Sequence, residues 1–238
     1  SSEQAMKIVT WNCNCALRSK THLLDDLEAD ILVVQECEDP SRSTDKYLEW
    51  AGSYEWIGDK KHKGLGVFAK RSTSLRRLPW PDEGLRSFLP CQINDSITLL
   101  AVWTKGGNSI PSYIAQLWSY LQIHKDKLAS PNTVVCGDFN SNRQWDRLRR
   151  TGNHSDVVSE FAEIDIHSVY HALTDEDHGE EQTATFYMNR NIDKPYHIDY
   201  VFASSHLLYK NASSMQVGSP AKWLEHSDHL PIIVDLDT

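Results

Sequence analysis

The 238-residue sequence contains no apolar run near 18 residues, so no transmembrane helix is expected. It opens with no charged and apolar leader, so no secretory signal is expected either, and the expected location is cytoplasmic. No repeat of fixed period and no low-complexity linker divides it. Its length suits one sizeable core rather than two complete domains. Cysteine is sparse: the five residues are Cys13, Cys15, Cys37, Cys91 and Cys136. The number is odd, and neither a CxxC pair nor a Cys/His cluster has zinc spacing, which argues against a disulfide framework or a zinc motif. Buried free thiols in a reducing compartment are the expectation, with Cys13 and Cys15 sharing a face if they lie on a strand. Basic charge is also short. The net charge of −9 argues against tight, sequence-independent duplex binding by bulk electrostatics, although a bound divalent cation would offset part of it.

The sequence is 40% hydrophobic and 24% charged, ordinary for a soluble globular protein. Residues 1–5 precede Met6 and read as an extension, leaving 6–238 as the domain. Local basic clusters occur at Lys60, Lys61 and Lys63, at Arg76 and Arg77, and at Arg143, Arg147, Arg149 and Arg150.

Met6 to Trp11 reads as a first strand ending at Asn12. Thr21 can cap a helix through Leu23, Leu24 and Leu27. Ile31 to Val34 is a continuous apolar strand followed by Gln35 and Glu36. Strand, helix, strand over about thirty residues is a crossover unit with parallel strands. Asn12 and Glu36 therefore fall at the same end of one sheet. Tyr47 to Ala51 reads as a short helix. Tyr54–Ile57, Leu65–Ala69, Leu75–Leu78, Ser87–Ile93 and Ile97–Trp103 read as strands. Ser112 to Leu128 reads as a long helix with Ile114, Leu117, Trp118 and Leu121 on one face. Asp156–Phe161 is a further helix, and Thr185–Met188, Tyr196–Ala203, Ser213–Val217 and Ile232–Val234 are strands. The acidic segment 174–182 is expected to be a mobile surface loop.

Thr133 to Asn142 (Thr-Val-Val-Cys-Gly-Asp-Phe-Asn-Ser-Asn) starts as a buried strand and ends abruptly in Gly137, Asp138 and Asn140. Open α/β sheets place ligands where such strands end. Asp138 can orient or deprotonate a water, and Asn140 can donate to an oxyanion or accept from that water. His197-Ile198-Asp199-Tyr200 opens a strand, and Ser227-Asp228-His229-Leu230-Pro231 precedes the last one. Five strand ends or turns thus offer carboxylate, carboxamide or imidazole while the rest of each strand is apolar.

Trp-Asn-x-Asn near the start, Gln-Glu after the second strand, Gly-Asp-Phe-Asn, Ile-Asp-Tyr and Ser-Asp-His-x-Pro occur in an order that resembles the endonuclease/exonuclease/phosphatase superfamily. These motifs span Trp11 to Pro231. The resemblance implies an α+β, DNase I-like fold, a four-layer α/β/β/α sandwich in a single domain. It implies a divalent-metal phosphodiesterase acting on DNA or RNA, as an endonuclease or exonuclease, by in-line attack of water. Glu36 looks like the main metal ligand, with Asp228 and Asn14 near the metal. Asp138 looks like the residue that activates the water. Asn12 and Asn140 would hold that water and the phosphate, and His229, oriented by Asp199, would contact phosphoryl oxygens.

Oxygen ligands without a Cys or His set favour Mg²⁺ or Mn²⁺. Phe186 and Tyr196 match positions that line the sugar pocket in abasic-site relatives. Trp103 replaces a family Tyr and is placed at the substrate cleft by its position, and Arg143 and Trp145 would meet phosphate and base. A phosphatase or phosphodiesterase of a small or lipid-linked phosphate is the alternative. A third reading is a catalytically inactive nucleic-acid-binding member, which the complete acidic set disfavours. No membrane partner is expected, and the sequence is silent on oligomeric state.

Overall fold

The computed structural model describes residues 5–106, 113–209 and 213–237. The first part of the chain forms β1 (Ala5–Asn12), α1 (Thr21–Asp25), β2 (Ile31–Cys37), α2 (Asp45–Ala51), β3 (Ser53–Lys60) and β4 (Lys63–Ala69). There follow β5 (Leu75–Arg77), β6 (Phe88–Ile93), β7 (Ile97–Trp103), α3 (Ile114–Leu128), β8 (Thr133–Asp138), α4 (His154–Glu163), β9 (Ile166–Ser168) and α5 (Val169–Thr174). The last part holds β10 (Phe186–Tyr187), β11 (Pro195–Tyr196), β12 (Asp199–Ser204), α6 (Ser205–Leu208), β13 (Ser214–Val217), α7 (Pro220–Trp223) and β14 (Ile232–Asp237).

Two six-stranded sheets result, ordered β13-β14-β1-β2-β4-β3 and β5-β6-β7-β8-β12-β9, with β10 and β11 as a separate ribbon. The predicted crossover is present: β1 and β2 are parallel, with Asn12 opposite Gln35. A second parallel pair, β7 and β8, is joined through α3. Side-chain alternation explains the layers. Ile8, Ile31, Val33, Leu99, Ala101, Val134 and Cys136 point between the sheets. Val9, Trp11, Leu32 and Val34 point outward, beneath Leu23, Leu24 and Tyr47 of α1 and α2. Leu100, Val102, Val135 and Phe202 point outward on the other side, beneath Leu117, Leu121 and Phe161 of α3 and α4. Strands buried on both faces read as continuous apolar runs, and this is why β2 and β8 do so. Each such fully buried aliphatic side chain stabilises the fold by roughly 1.5–3 kcal/mol relative to exposure. The four-layer α/β/β/α sandwich is therefore the observed architecture.

Several local expectations are corrected. Thr21 is the first residue of α1, which begins from Lys20 with no side-chain cap. Cys13 and Cys15 lie beyond β1, in a turn where Asn14, Cys15 and Ala16 all take left-handed φ of 55°, 70° and 52°. The start of the long helix at Ser112 lies outside the described residues. Tyr196–Ala203 is not one strand, because His197 and Ile198 separate β11 from β12. The expected strand at Thr185–Met188 shrinks to β10. The 174–182 segment lies at the surface as expected, with Thr174, Asp175, Asp177, Gly179, Glu180 and Gln182 exposed, but it is tied down at Glu181, whose side chain is 3% exposed and bonded to His171 Nε2 at 2.7 Å. Among the described residues, no helix is long and apolar enough to cross a membrane.

Candidate active site

Parallel pairing brings Asn12 and Glu36 together, as the crossover requires. Asn12 Nδ2 donates to Glu36 Oε2 at 2.6 Å. Glu36 is the extra residue of a β-bulge between Gln35 and Cys37, with φ of 64°. Bulges re-aim side chains at sheet ends, and this one turns Glu36 toward Asn12. In the other sheet, β8 runs antiparallel to β12, which sets Asp138 directly opposite Asp199. Gly137 is required one residue earlier: its φ is +148°, and a Cβ there would lie 1.9 Å from Val102 O. Asn12 Nδ2 also donates to Asp138 Oδ2 at 3.0 Å, so one amide joins the two sheets.

The 227–229 turn is fastened to this end. Ser227 Oγ donates to Asn12 O at 2.6 Å and accepts from His229 N at 3.0 Å. Trp11 Nε1 donates to His229 O at 3.0 Å. Lys20 Nζ donates to Cys13 O, Cys15 O and His226 O at 2.6, 2.9 and 2.6 Å, tying the left-handed turn to the same segment.

His229 is 4% exposed and lies among carboxylates. Its Nδ1 bonds Asp199 Oδ2 at 2.9 Å, and its Nε2 lies 3.6 Å from Asp138 Oδ2 and 3.9 Å from Asp228 Oδ1. Burial disfavours the imidazolium, but Asp199 and Asp138 outweigh it and lift His229 to about 10. Burial is also the largest influence on Asp138. With Asp199 adding repulsion, and His229 and Asn12 opposing, it raises Asp138 to about 7. In this tightly coupled pair the proton belongs to the imidazole, because Asp199 and Asp138 flank it and the Asn12 amide and the Asn140 backbone N–H both favour the ionised Asp138. Burial raises Asp228 as well, against the pull of His229 and with repulsion from Glu36.

Two groupings in this region could hold a cation. Asp138, Asp199 and His229 have ligand atoms within 4.8 Å of one another. Here, however, the imidazole is positively charged and spends Nδ1 on Asp199, so this trio already holds a cation of its own and keeps a net charge of only −1. Glu36 and Asp228 offer an oxygen-only set on the more open side, which suits a hard divalent cation. The repulsion between them is what a cation would relieve. Lys63 Nζ, 3.2 Å from Glu36 Oε1, supplies the compensating charge in this structure. Burial opposes the charge on Lys63, and Glu36 overcomes it, raising the ammonium pKa. In the sequence this residue stands out only as part of the Lys60, Lys61 and Lys63 cluster. Asn14 contributes its backbone: its N–H donates to Asn12 Oδ1 at 3.0 Å.

An aromatic wall stands beside His229. The Phe186 ring lies 4.7 Å from the imidazole, Tyr196 lies 6.2 Å from Phe186, and Trp145 lies 5.5 Å from Tyr196. Trp145 is 49% exposed. It borders a cleft of about 590 Å³, lined also by Phe186, Asn140, Arg147, Arg150 and Tyr113. Arg143 does not line this cleft; Arg147 and Arg150 of the same loop do. Trp103 is likewise corrected: at 8% exposure it packs in the core between the sheets, with Lys105 Nζ 4.4 Å over its ring. Residues 99, 101 and 103 share the inward face of β7, which carries Trp103 inside. Asn140 reaches the cleft, but Nδ2 donates to Thr104 O at 2.8 Å, leaving one amide hydrogen for a ligand. Its backbone N–H donates to Asp138 Oδ1 at 3.0 Å, orienting that carboxylate.

The model of the Endonuclease/Exonuclease/phosphatase family matches residues 9–229. No curated protein matches the chain by sequence. Among solved structures, the chain resembles a 3′-5′ exonuclease from Neisseria meningitidis at 17% identity and TM-score 0.68, covering 98% of this chain and 100% of that one. A 3′ phosphatase from Neisseria bound to a product DNA hairpin aligns at 18% identity and TM-score 0.70, with coverage of 98% and 100%. An AP endonuclease from Archaeoglobus fulgidus aligns at 21% identity and TM-score 0.69, again covering 98% and 100%. At these identities the likeness establishes the fold.

Proposed function

The chain belongs to the Endonuclease/Exonuclease/phosphatase family, and from that premise we propose that it is a divalent-metal-dependent hydrolase cutting phosphodiester bonds in nucleic acid. The observation that carries the proposal is the buried Asp199–His229–Asp138 row, linked through Asn12 to Glu36. A phosphodiester is an anion whose transition state gathers charge on its non-bridging and leaving oxygens.

His229 is charged at neutral pH and holds Nε2 between Asp138 and Asp228, at 3.6 and 3.9 Å, beyond hydrogen-bond distance of either, so it donates to a non-bridging oxygen. Asp199 holds that imidazole in place and keeps it protonated. Asp138, raised to about 7 by burial, accepts the proton of the attacking water as the new P–O bond forms. The P–O bond opposite breaks, and the departing alkoxide takes its proton from solvent. Asn12 fixes Asp138 Oδ2 for this exchange, and Asn140 fixes Oδ1 through its backbone. Glu36 and Asp228, flanked by Asn14, would hold Mg²⁺ or Mn²⁺, which when bound supplies counter-charge for the phosphoryl and leaving oxygens.

The substrate proposal rests on the aromatic wall and its guanidinium neighbours. Trp145, Tyr196 and Phe186 offer faces on which a base or sugar stacks, and Arg147 and Arg150 offer phosphate contacts. Five free cysteines, four of them buried, suit work in a reducing compartment such as the cytoplasm.

The test is a panel of the purified protein with Mg²⁺, Mn²⁺ or chelator against single- and double-stranded DNA, abasic duplex, RNA, a 5′-tyrosyl oligonucleotide and inositol phosphates. Metal-dependent cleavage of a nucleic acid is expected. The Asp138→Asn variant is expected to lose about a thousandfold or more in rate while keeping its melting temperature. Turnover of inositol phosphates alone, or wild-type rates in Asp138→Asn, would overturn the proposal.

A further inference from the structure

Behind the reaction centre, on the far side of Asn142, the fold gathers four histidines and a glutamate that the chemistry above does not use. They come from separate places: His154 opens α4, His171 lies in α5, His178 and Glu181 lie in the loop after it, and His197 sits between β11 and β12. No linear spacing marks them as a set. His171 and His178 stack, with ring centres 3.6 Å apart and planes at 16°. One ligand atom from each of His171, His178 and Glu181 lies within 4.8 Å of the other two.

Each of these three has its outward atom already fixed. His171 Nδ1 is 2.6 Å from Ser168 Oγ, which leaves Nε2 on the Glu181 side, 2.7 Å from Oε2. His178 Nδ1 is 3.0 Å from His154 Nε2, and His154 Nδ1 is in turn 3.0 Å from Ser141 Oγ, which leaves Nε2 of His178 unspent. Glu181 Oε1 accepts from Asn142 Nδ2 at 2.9 Å. Outer hydrogen bonds of this kind orient imidazole and carboxylate ligands at metal sites.

A fourth imidazole stands close. His197 spends Nδ1 on Thr183 O at 2.7 Å, while its buried Nε2 has no hydrogen-bond partner. Its ring centre is 5.9 Å from that of His171.

We propose that His171, His178 and Glu181 form a second, structural metal site for a borderline ion such as Zn²⁺, with His197 or a water completing the coordination. Nitrogen donors separate it from the oxygen-only pair at Glu36 and Asp228, so the two sites select different ions. Tetrahedral zinc with bonds near 2.0–2.1 Å needs its donors about 3.3 Å apart. The His171–Glu181 contact of 2.7 Å must open slightly to reach this, the wider separations must close, and the stacked His171 and His178 rings must turn apart so that their in-plane lone pairs converge on the ion. On binding, His171 gives up the proton on Nε2 and takes one on Nδ1, where Ser168 Oγ receives the hydrogen bond.

The site would brace the reaction centre from behind. Asn142 Nδ2 bonds both Glu181 Oε1 and His197 O, and Asn142 lies four residues past Asp138 and His197 two before Asp199. Fixing Glu181 therefore fixes the loop that carries Asp138 and the start of the strand that carries Asp199.

The experiment strips the protein with chelator and titrates Zn²⁺ calorimetrically in saturating Mg²⁺. The wild type is expected to bind one equivalent and to melt at a higher temperature with zinc. Affinity is expected to fall about a hundredfold in His178→Ala and in Glu181→Gln, and to be unchanged in Asp138→Asn and Glu36→Gln. Absence of binding in the wild type, retention in His178→Ala, or loss in Glu36→Gln would overturn the proposal. Co²⁺ bound to the wild-type protein in excess Mg²⁺ decides the matter without any variant. Intense visible bands of low-coordinate cobalt support the site, and only the weak bands of octahedral cobalt refute it.

Discussion

Replacing Asp199 by Asn isolates what the buried carboxylate does for His229. The two side chains are close in shape, and Asn can still face Nδ1, so packing is preserved while one negative charge is lost. His229 is lifted from 6.5 to about 10 against the opposing effect of burial, with Asp199 as the largest favourable contributor. At about 1.4 kcal/mol for each tenfold in proton affinity, that displacement is worth roughly 5 kcal/mol in favour of the imidazolium. The sign follows directly. A base whose folded-state pKa is raised keeps its proton until the pH climbs through that raised value.

In the wild type the alkaline limb of the rate profile should therefore lie near 10, and the acid limb near 7, where Asp138 loses its proton. In Asp199→Asn only Asp138 and Asp228 remain to hold the proton, and the alkaline limb should move down by several pH units. At pH 8 His229 would be largely neutral, with a loss of about 10²–10³ in rate, as for the removal of one oxyanion donor. The assay is single-turnover cleavage of an oligonucleotide in saturating Mg²⁺ from pH 5 to 10.5, with the imidazole followed in parallel by ¹⁵N NMR. An imidazole still titrating near 10 in the variant, or a rate loss equal at every pH, would refute this account.

Four further outcomes follow from the geometry. Lys63→Met removes the ammonium beside Glu36 and should lower the Mg²⁺ concentration for half-maximal rate by a few fold; an unchanged or higher Mg²⁺ requirement would show that Lys63 serves the substrate instead. Gly137→Ala places a Cβ against Val102 O and should cost about 3 kcal/mol in a denaturant titration; an unchanged midpoint would mean the strand end relaxes freely. Trp145→Ala should raise KM about tenfold or more for oligonucleotides with little change in kcat, and an unaltered KM would remove it from the substrate surface. Asp138→Asn should melt like the wild type in calorimetry, and early unfolding would assign it a structural part.

Much of this arrangement was legible in the chain because parallel crossovers have fixed consequences. Once β1, α1 and β2 are recognised, Asn12 and Glu36 must share a sheet end, and they are 2.6 Å apart. What escaped was local backbone geometry without a glycine to announce it. The bulge at Glu36 and the left-handed run through Asn14, Cys15 and Ala16 are set by tertiary bonds, among them those from Lys20 Nζ to three carbonyls. Trp103 was misplaced although its alternation with Leu99 and Ala101 already pointed it inward. Glu181 looked solvated because it sits in an acidic run, and its partners His171 and Asn142 are distant in sequence. Arg143 and Arg147 differ only by their position around a short turn, which residue type does not encode.

The single carboxamide of Asn12 spans the gap between the halves of the sandwich, gripping a carboxylate on each. Any sliding of one half over the other by a fraction of an ångström is therefore felt at the scissile phosphate before the hydrophobic interior registers it. The molecule carries its own strain gauge, mounted at the spot where tolerance is smallest. Mild pressure or warming should silence turnover while the circular dichroism spectrum still looks native.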